Sequence, residues 1–226
     1  MKKSLYLILT VTLLHVSDIS AETLNTYFET GKLKAQTNYV DGSRSGNRKG
    51  IKNGIEKVYY QMGQLAYQVN YIGGKRDGKL VWYDKKGNKL SEINYDHGKI
   101  SGVQKNFFAY NEKVKSSVNY KNDKKEGLEK QYYDNGQLAM SVNYIHGKKE
   151  GIQREYTYDG KLYSEVTYVN NYKEDMQKWY DKKGNIVKTE LYKHDLPVNI
   201  VKKLKSKKEN VDILIKDIDF SPKKPK

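Results

Sequence analysis

Gly127-Leu-Glu-Lys-Gln-Tyr-Tyr-Asp-Asn-Gly-Gln-Leu-Ala-Met-Ser-Val-Asn-Tyr144 holds two short runs of alternating polarity around the turn Asp134-Asn-Gly136. In its second run Leu138, Met140, Val142 and Tyr144 fall on one side and Ala139, Ser141 and Asn143 on the other, the period of a half-buried strand. Asn-Gly between two such runs is a hairpin signal, because glycine accepts the positive φ that tight hairpin turns require. Gly54-Ile-Glu-Lys-Val-Tyr-Tyr-Gln-Met-Gly-Gln-Leu-Ala-Tyr-Gln-Val-Asn-Tyr71 repeats the same sentence.

Working outward, the closing tyrosine recurs at Tyr39, Tyr71, Tyr95, Tyr120, Tyr144, Tyr168 and Tyr192, at intervals of 24 or 25 residues after the first gap of 32. A fixed period of this size marks a repeat array. Between copies lie reversals such as His146-Gly-Lys-Lys-Glu-Gly151 and Gly74-Lys-Arg-Asp-Gly78. The reading is all-β: an elongated antiparallel meander of seven hairpins, about 14 strands, over residues 22–192. We number the repeats one to seven by their closing tyrosines. Three departures stand out. A Gly-, Ser- and Arg-rich loop, Val40 to Asn53, separates repeats one and two. Repeat four carries Phe107-Phe108 and has Glu112 in place of the turn glycine, which predicts a hairpin looser by one residue. In repeat seven Met176 is read as standing where the others have glycine.

Composition agrees with a thin sheet. Only 37% of the 226 residues are apolar, and Tyr outnumbers Phe and Trp at 21 against 4 and 2. Tyrosine suits a half-buried strand face, packing its ring while its hydroxyl stays wet. Lys2 and Lys3, the run Leu5 to Leu14, and Ser20-Ala21 predict an export signal over residues 1–21, cut near Ala21. The apolar run is shorter than the roughly 20 residues of a membrane span. With no cysteine, the chain has neither disulfides nor a thiol for lipid attachment.

The formal charge of +15 points toward acidic partners: anionic lipid head groups, acidic glycans or acidic protein faces, with nucleic acid disfavoured for an exported chain. Residues 193–226 read as a basic cap or tail. Pro197 is expected to open a short helix over 198–208, Val211 to Phe220 to form a last strand, and Lys202, Lys203, Lys205, Lys207 and Lys208 to offer an anionic-surface contact.

The aromatic pair, glycine turn, closing tyrosine and Gly-Lys-x-x-Gly connection resemble the MORN repeat, in particular its bacterial variant, common in proteins labelled YwqK-family antitoxins. The resemblance covers roughly residues 24–192. It implies an elongated sheet of successive hairpins with aromatic residues lining one face, and, from eukaryotic relatives, membrane apposition or lipid and protein scaffolding. Plant phosphatidylinositol phosphate kinases carry similar repeats beside a kinase domain. Here the glycines are spaced by hairpins, and only 34 residues follow Tyr192, too few for such a domain.

No catalytic, cofactor or metal constellation is read. His97, His146 and His194 occupy one turn position in alternate repeats, and four strands at about 4.8 Å per strand set neighbours roughly 19 Å apart. The carboxylates of the connections, Asp77, Glu126 and Glu150, lie beside Lys75, Lys125 and Lys149 and read as solvated pairs. The tyrosine ladder, Tyr39 to Tyr192, is the one candidate binding feature, able to stack sugars, to capture a peptide edge or to pair with a second copy of the chain. The expected function is that of an exported, non-enzymatic binding or scaffolding surface for a protein or anionic envelope partner. The alternatives are toxin neutralisation by direct binding and organisation of a lipid surface.

Overall fold

The computed structural model describes residues 22–40 and 50–198. The expected export signal, part of the first long loop, the tail with Lys202 to Lys208 and the expected last strand Val211 to Phe220 lie outside the described residues. Among the described residues the regular elements from Glu22 to Pro197 are strands, and they form one 19-stranded antiparallel sheet. Each long strand bonds to the long strands before and after it in the chain, so the sheet is the predicted meander of hairpins.

Fourteen of the strands make the seven hairpins: Glu22–Tyr27 with Leu33–Val40, Ile51–Tyr59 with Leu65–Ile72, Gly78–Tyr83 with Lys89–Asp96, Gly102–Phe107 with Val114–Lys121, Gly127–Tyr132 with Leu138–Ile145, Gly151–Tyr156 with Leu162–Val169, and Tyr172–Tyr180 with Ile186–Lys193. The other five are two-residue pieces, Lys75–Arg76, Lys99–Ile100, Lys124–Lys125, Lys148–Lys149 and Leu196–Pro197. The first four lead into the next long strand and stop one residue short of it.

That break is a bend. Tyr71 pairs with Arg76 and Gln68 with Val81, so three steps on one strand face five on the other. The same two extra residues recur where Thr37 and Tyr39 face Glu56 and Lys52, and where Thr167 and Glu165 face Glu174 and Lys178. Glycine marks each bend because the backbone there needs a positive φ: Gly127 sits at +80°, and a Cβ added to it would meet nothing within 4 Å. In repeat seven the residue in this conformation is Asp175, at φ +69°, and it pairs with Tyr192 as Gly127 pairs with Tyr144. Met176 is therefore not the substituted glycine. It occupies the position of Leu128 and Ile152.

The turns between repeats are built from two residues that both have positive φ, the type I′ geometry that matches strand twist: Gly73-Gly74, His97-Gly98, Asn122-Asp123, His146-Gly147, Asn170-Asn171 and His194-Asp195. The histidines are thus turn residues, as their spacing predicts. The second residue of each turn donates its N–H to a carbonyl one repeat earlier, for example Gly147 to Lys125 at 2.8 Å and Gly98 to Arg76 at 2.8 Å. The carboxylates before the bends brace these turns. Asp77, Glu126, Glu150 and Glu174 accept the N–H of His97, His146, Asn170 and His194 at 2.9 to 3.2 Å. For Asp77, Glu126 and Glu150 this replaces the expectation of merely solvated pairs.

Three further boundaries shift. The first long loop is shorter than expected, since Val40 pairs with Ile51 and Tyr39 with Lys52. The hairpin of repeat four is looser by one residue: Phe108 N–H reaches Lys113 O, where Tyr133 reaches Gln137, and Glu112 takes φ +54°. Pro197 ends the strand Leu196–Pro197 opposite Tyr192, so the ladder continues past the expected boundary at 192; Val198 is helical, and the rest of the expected helix lies outside the described residues.

The core is a ribbon on one side of the sheet. Val69, Val118, Val142 and Val166, each two residues before a closing tyrosine, are buried, Val142 completely at 0% exposure. Val69 and Leu80 gather Tyr67, Ile93 and Tyr95 around Tyr71. We call this the front and the other side the reverse.

Candidate binding surface

On the front, the closing tyrosines alternate with cations across the strands. Lys52 pairs with Tyr39, Arg76 with Tyr71, Lys125 with Tyr120, Lys149 with Tyr144 and Lys173 with Tyr168. Each of these cations also lies over the ring of the next tyrosine, at 4.8 Å for Lys52 on Tyr71, 5.4 Å for Arg76 on Tyr95, and 4.7, 4.7 and 4.9 Å for Lys125, Lys149 and Lys173 on Tyr144, Tyr168 and Tyr192. The register thus aligns the predicted ladder as one row, and five of its seven rings already carry a cation of this chain. Tyr39 and Tyr120 are half-buried in the same row.

Beneath the cations runs a second row. Glu56, nearly buried, accepts bonds from Lys52 at 2.5 Å and from Thr37 and Tyr71 at 3.2 Å. Glu129 accepts from Lys125 at 2.6 Å. Repeats six and seven carry amides instead: Gln153 accepts from Lys149 at 2.9 Å and Gln177 from Lys173 at 3.1 Å. Burial, the largest single influence, opposes the charge on Lys125, but the bond to Glu129 and that carboxylate's charge together outweigh it and raise the lysine's pKa above its ordinary value. At Lys149 burial prevails and the pKa is lowered.

The reverse face shows a pattern that the tyrosine register hides. Residues directly opposite one another form an unbroken row across the sheet from Gln36 to Thr189, and every second member, beginning with Lys57, is Lys57, Val81, Lys105, Lys130, Arg154 or Lys178. Lys105 and Lys130 have Ser117 between them, and Ser141 separates Lys130 from Arg154. Glu165 pairs with Arg154 at 3.6 Å and Lys178 at 3.3 Å, whereas among the described residues Lys105 and Lys130 make no ion pair. Two residues earlier in the same strands stand Val103, Leu128, Ile152 and Met176, all exposed on the same side, Leu128 at 48%. The sequence signal for both rows is the first and third residue after each bend, as in Gly127-Leu-Glu-Lys130 and Gly151-Ile-Gln-Arg154.

A third feature lies at the hairpin tips of repeats four to six. Tyr110 and Tyr158 donate to the two oxygens of Asp134 at 2.7 and 2.8 Å, and Tyr133 meets Tyr158 at 5.2 Å between ring centroids. The Asp134 bond raises the Tyr110 pKa to about 12. Phe108, Tyr110, Tyr133 and Lys115 border an open cleft of about 460 Å³ beside this bridge. Among the described residues, Asp77, Asp96 and His97 bring carboxylate and imidazole atoms within 4.8 Å of one another on an exposed turn, where Asp77 already braces the backbone.

Residues 24–41, 52–72, 76–97, 125–146 and 149–170 match the model of the MORN repeat variant. No curated protein matched the sequence. Among solved structures, the chain is similar to a mutant of S. aureus TarM in complex with Fondaparinux, alpha-GlcNAc-glycerol and UDP (15% identity, TM-score 0.31, covering 43% of this chain and 19% of that one). It is also similar to TarM itself (15%, TM-score 0.30, 43% and 19%) and to a GtfA/B complex bound to UDP and GlcNAc (14%, TM-score 0.23, 51% and 22%). The chain spans about a fifth of the length of these structures. Repeats four and seven fall outside the matched segments, and they are the copies with Glu112 and Asp175 in glycine positions, yet their strands and turns follow the others. Five matched copies within one ladder of seven like hairpins place the chain in the MORN repeat variant family.

Proposed function

We propose that the chain is an exported, non-enzymatic binding or scaffolding protein that presents the reverse face of its sheet to a protein or to an anionic envelope surface. The observation that carries this reading is that exposed aliphatic residues of the reverse face stand beside Lys105 and Lys130, which make no ion pair among the described residues. An unpaired charge beside exposed apolar surface is what a partner of opposite charge recognises. The front ladder is a weaker candidate, because the faces of its rings are occupied by Lys52, Arg76, Lys125, Lys149 and Lys173. Export is supported by the basic start, the apolar run 5–14 and Ser20-Ala21.

Two measurements test it. Fractionation of cells expressing the full chain should recover it outside the cytosol, and cytosolic recovery would overturn export. Binding to anionic vesicles, an acidic polysaccharide and an acidic protein should include at least one saturable interaction. The joint change Lys105→Glu, Lys130→Glu and Arg154→Glu should weaken it by roughly tenfold or more, at about 0.2–1 kcal/mol per exposed charge pair. Equal binding by the variant would remove the reverse face from the reading.

A further inference from the structure

We propose that the reverse face over repeats four to seven is a docking groove for an acidic amphipathic α-helix of about 20 residues supplied by a partner protein. This rests on the reading of that face as the binding surface and names what it takes. The line Val103, Leu128, Ile152 and Met176 has Asn119, Asn143 and Thr167 opposite its first three members, and Ile145 and Val169, both exposed, stand in the next row. On one side of it run Lys105, Lys130, Arg154 and Lys178. On the other run Lys121, Lys124 and Lys148, placed on the reverse face by the pairing of Lys121 with Lys124 and Ile145 with Lys148. Among the described residues Lys121, Lys124 and Lys148 make no ion pair. An apolar stripe bordered on both sides by cations is the complement of a helix whose apolar stripe is bordered by Asp and Glu.

The spacing agrees. Successive members of the apolar line lie two strands apart, about 9.6 Å, and two turns of α-helix rise about 10.8 Å. From Val103 to Met176 there are six strand steps, about 29 Å, the length of a helix of about 19 or 20 residues. Over the three intervals the mismatch reaches only about 4 Å, less than one helical turn.

Other occupants fit less well. A polysaccharide or nucleic acid would pair the lysines and leave the aliphatic line wet. A second copy would bring the same cations against themselves. A flat bilayer is a poor match because strands twist by roughly 20–25° relative to each neighbour, so the bordering cations wind around the apolar line and few meet a plane at once.

The test uses the full chain and a synthetic fluorescent peptide of about 21 residues, with Leu forming one helical stripe and Glu on both borders. A scrambled peptide of the same composition, polyglutamate, and phosphatidylglycerol–phosphatidylcholine vesicles are the competing probes. The patterned peptide is expected to bind saturably and to become helical by circular dichroism. Its affinity should fall roughly tenfold or more with Leu128→Asp, at an exposed site, and again with Lys130→Glu, at a half-buried one, each variant keeping the wild-type circular dichroism and unfolding transition. No binding of the patterned peptide overturns the inference, as does equal binding of patterned and scrambled peptides. If polyglutamate or vesicles bind instead and are lost with Lys130→Glu, the helix groove is wrong and the broader function stands. If Lys130→Glu and Leu128→Asp change the binding of no probe, both fail.

Discussion

At the second residue after the bend, repeats five and six differ by one functional group, Glu129 against Gln153, and the lysines bonded there respond to burial in opposite directions. Lys125 and Lys149 sit over equivalent tyrosines at the same 4.7 Å and reach a partner four residues on, Glu129 at 2.6 Å and Gln153 at 2.9 Å. The carboxylate holds Lys125 charged and the amide leaves Lys149 to the penalty of burial. The hairpins nevertheless overlay in strand length, pairing and turn type. What the repeat requires at this site is therefore an acceptor of the right reach, with the charge free to vary from copy to copy.

The most disruptive way to break the comparison is to remove each acceptor. Glu129→Ala strands Lys125 among rings and is expected to cost about 1.5–3 kcal/mol, the range for a hydrogen bond to a charged group. Gln153→Ala removes a weaker partner and should cost about 0.5–1.5 kcal/mol. Denaturant unfolding of both variants at neutral pH checks the order, and equal losses would dissolve the distinction.

A smaller effect sharpens it. Gln153→Glu rebuilds in repeat six the pair of repeat five and should add about 0.2–1 kcal/mol, because the site is partly exposed. The new carboxyl, like Glu129, should titrate below its ordinary value. Such a group stabilises above its unfolded pKa, so the gain should vanish as the pH falls through the folded value. At the alkaline end the two lysines part. The contribution of Lys125, whose pKa is raised, is present below 10.5 and is lost as the pH climbs through its higher folded value. The cost carried by Lys149 is present at lower pH and is relieved as the pH rises toward 10.5. Stability measured across both limbs in wild type and Gln153→Glu should show the repeat-six limb reverse its sign.

The smallest expected change contrasts the front with the hairpin tips. Tyr110→Phe should leave unfolding almost unmoved, since the Tyr110–Asp134 bond is fully exposed. A spectrophotometric titration should nevertheless lose the phenol that ionises near 12. Persistence of that phenol would place the perturbed group elsewhere.

Period, hairpins, strand number and the tyrosine row were legible because they depend on alternation and on glycine, both local properties. The bends were not, because two extra residues in Asp77-Gly78 or Glu150-Gly151 look the same in the sequence whether they lengthen a turn or buckle a strand. For the same reason the sequence pattern sets Met176 in the glycine position of repeat seven, where the register gives that position to Asp175. Asp77, Glu126 and Glu150 looked like partners of adjacent lysines, and their bonds to turn amides 20 residues away follow only from the pairing of whole repeats. The reverse-face rows were written in the sequence at Lys105, Lys130 and Arg154. They draw notice only once the front has been seen to spend its tyrosines on its own cations.

The bonds that run from each type I′ turn to the carbonyl of the preceding copy reach no farther than that copy. Among the described residues, the ladder bonds fasten each hairpin to the hairpins on either side of it. A force drawn on the two ends of the sheet would then peel the hairpins away in sequence from the margins, and the middle would hold until its turn came.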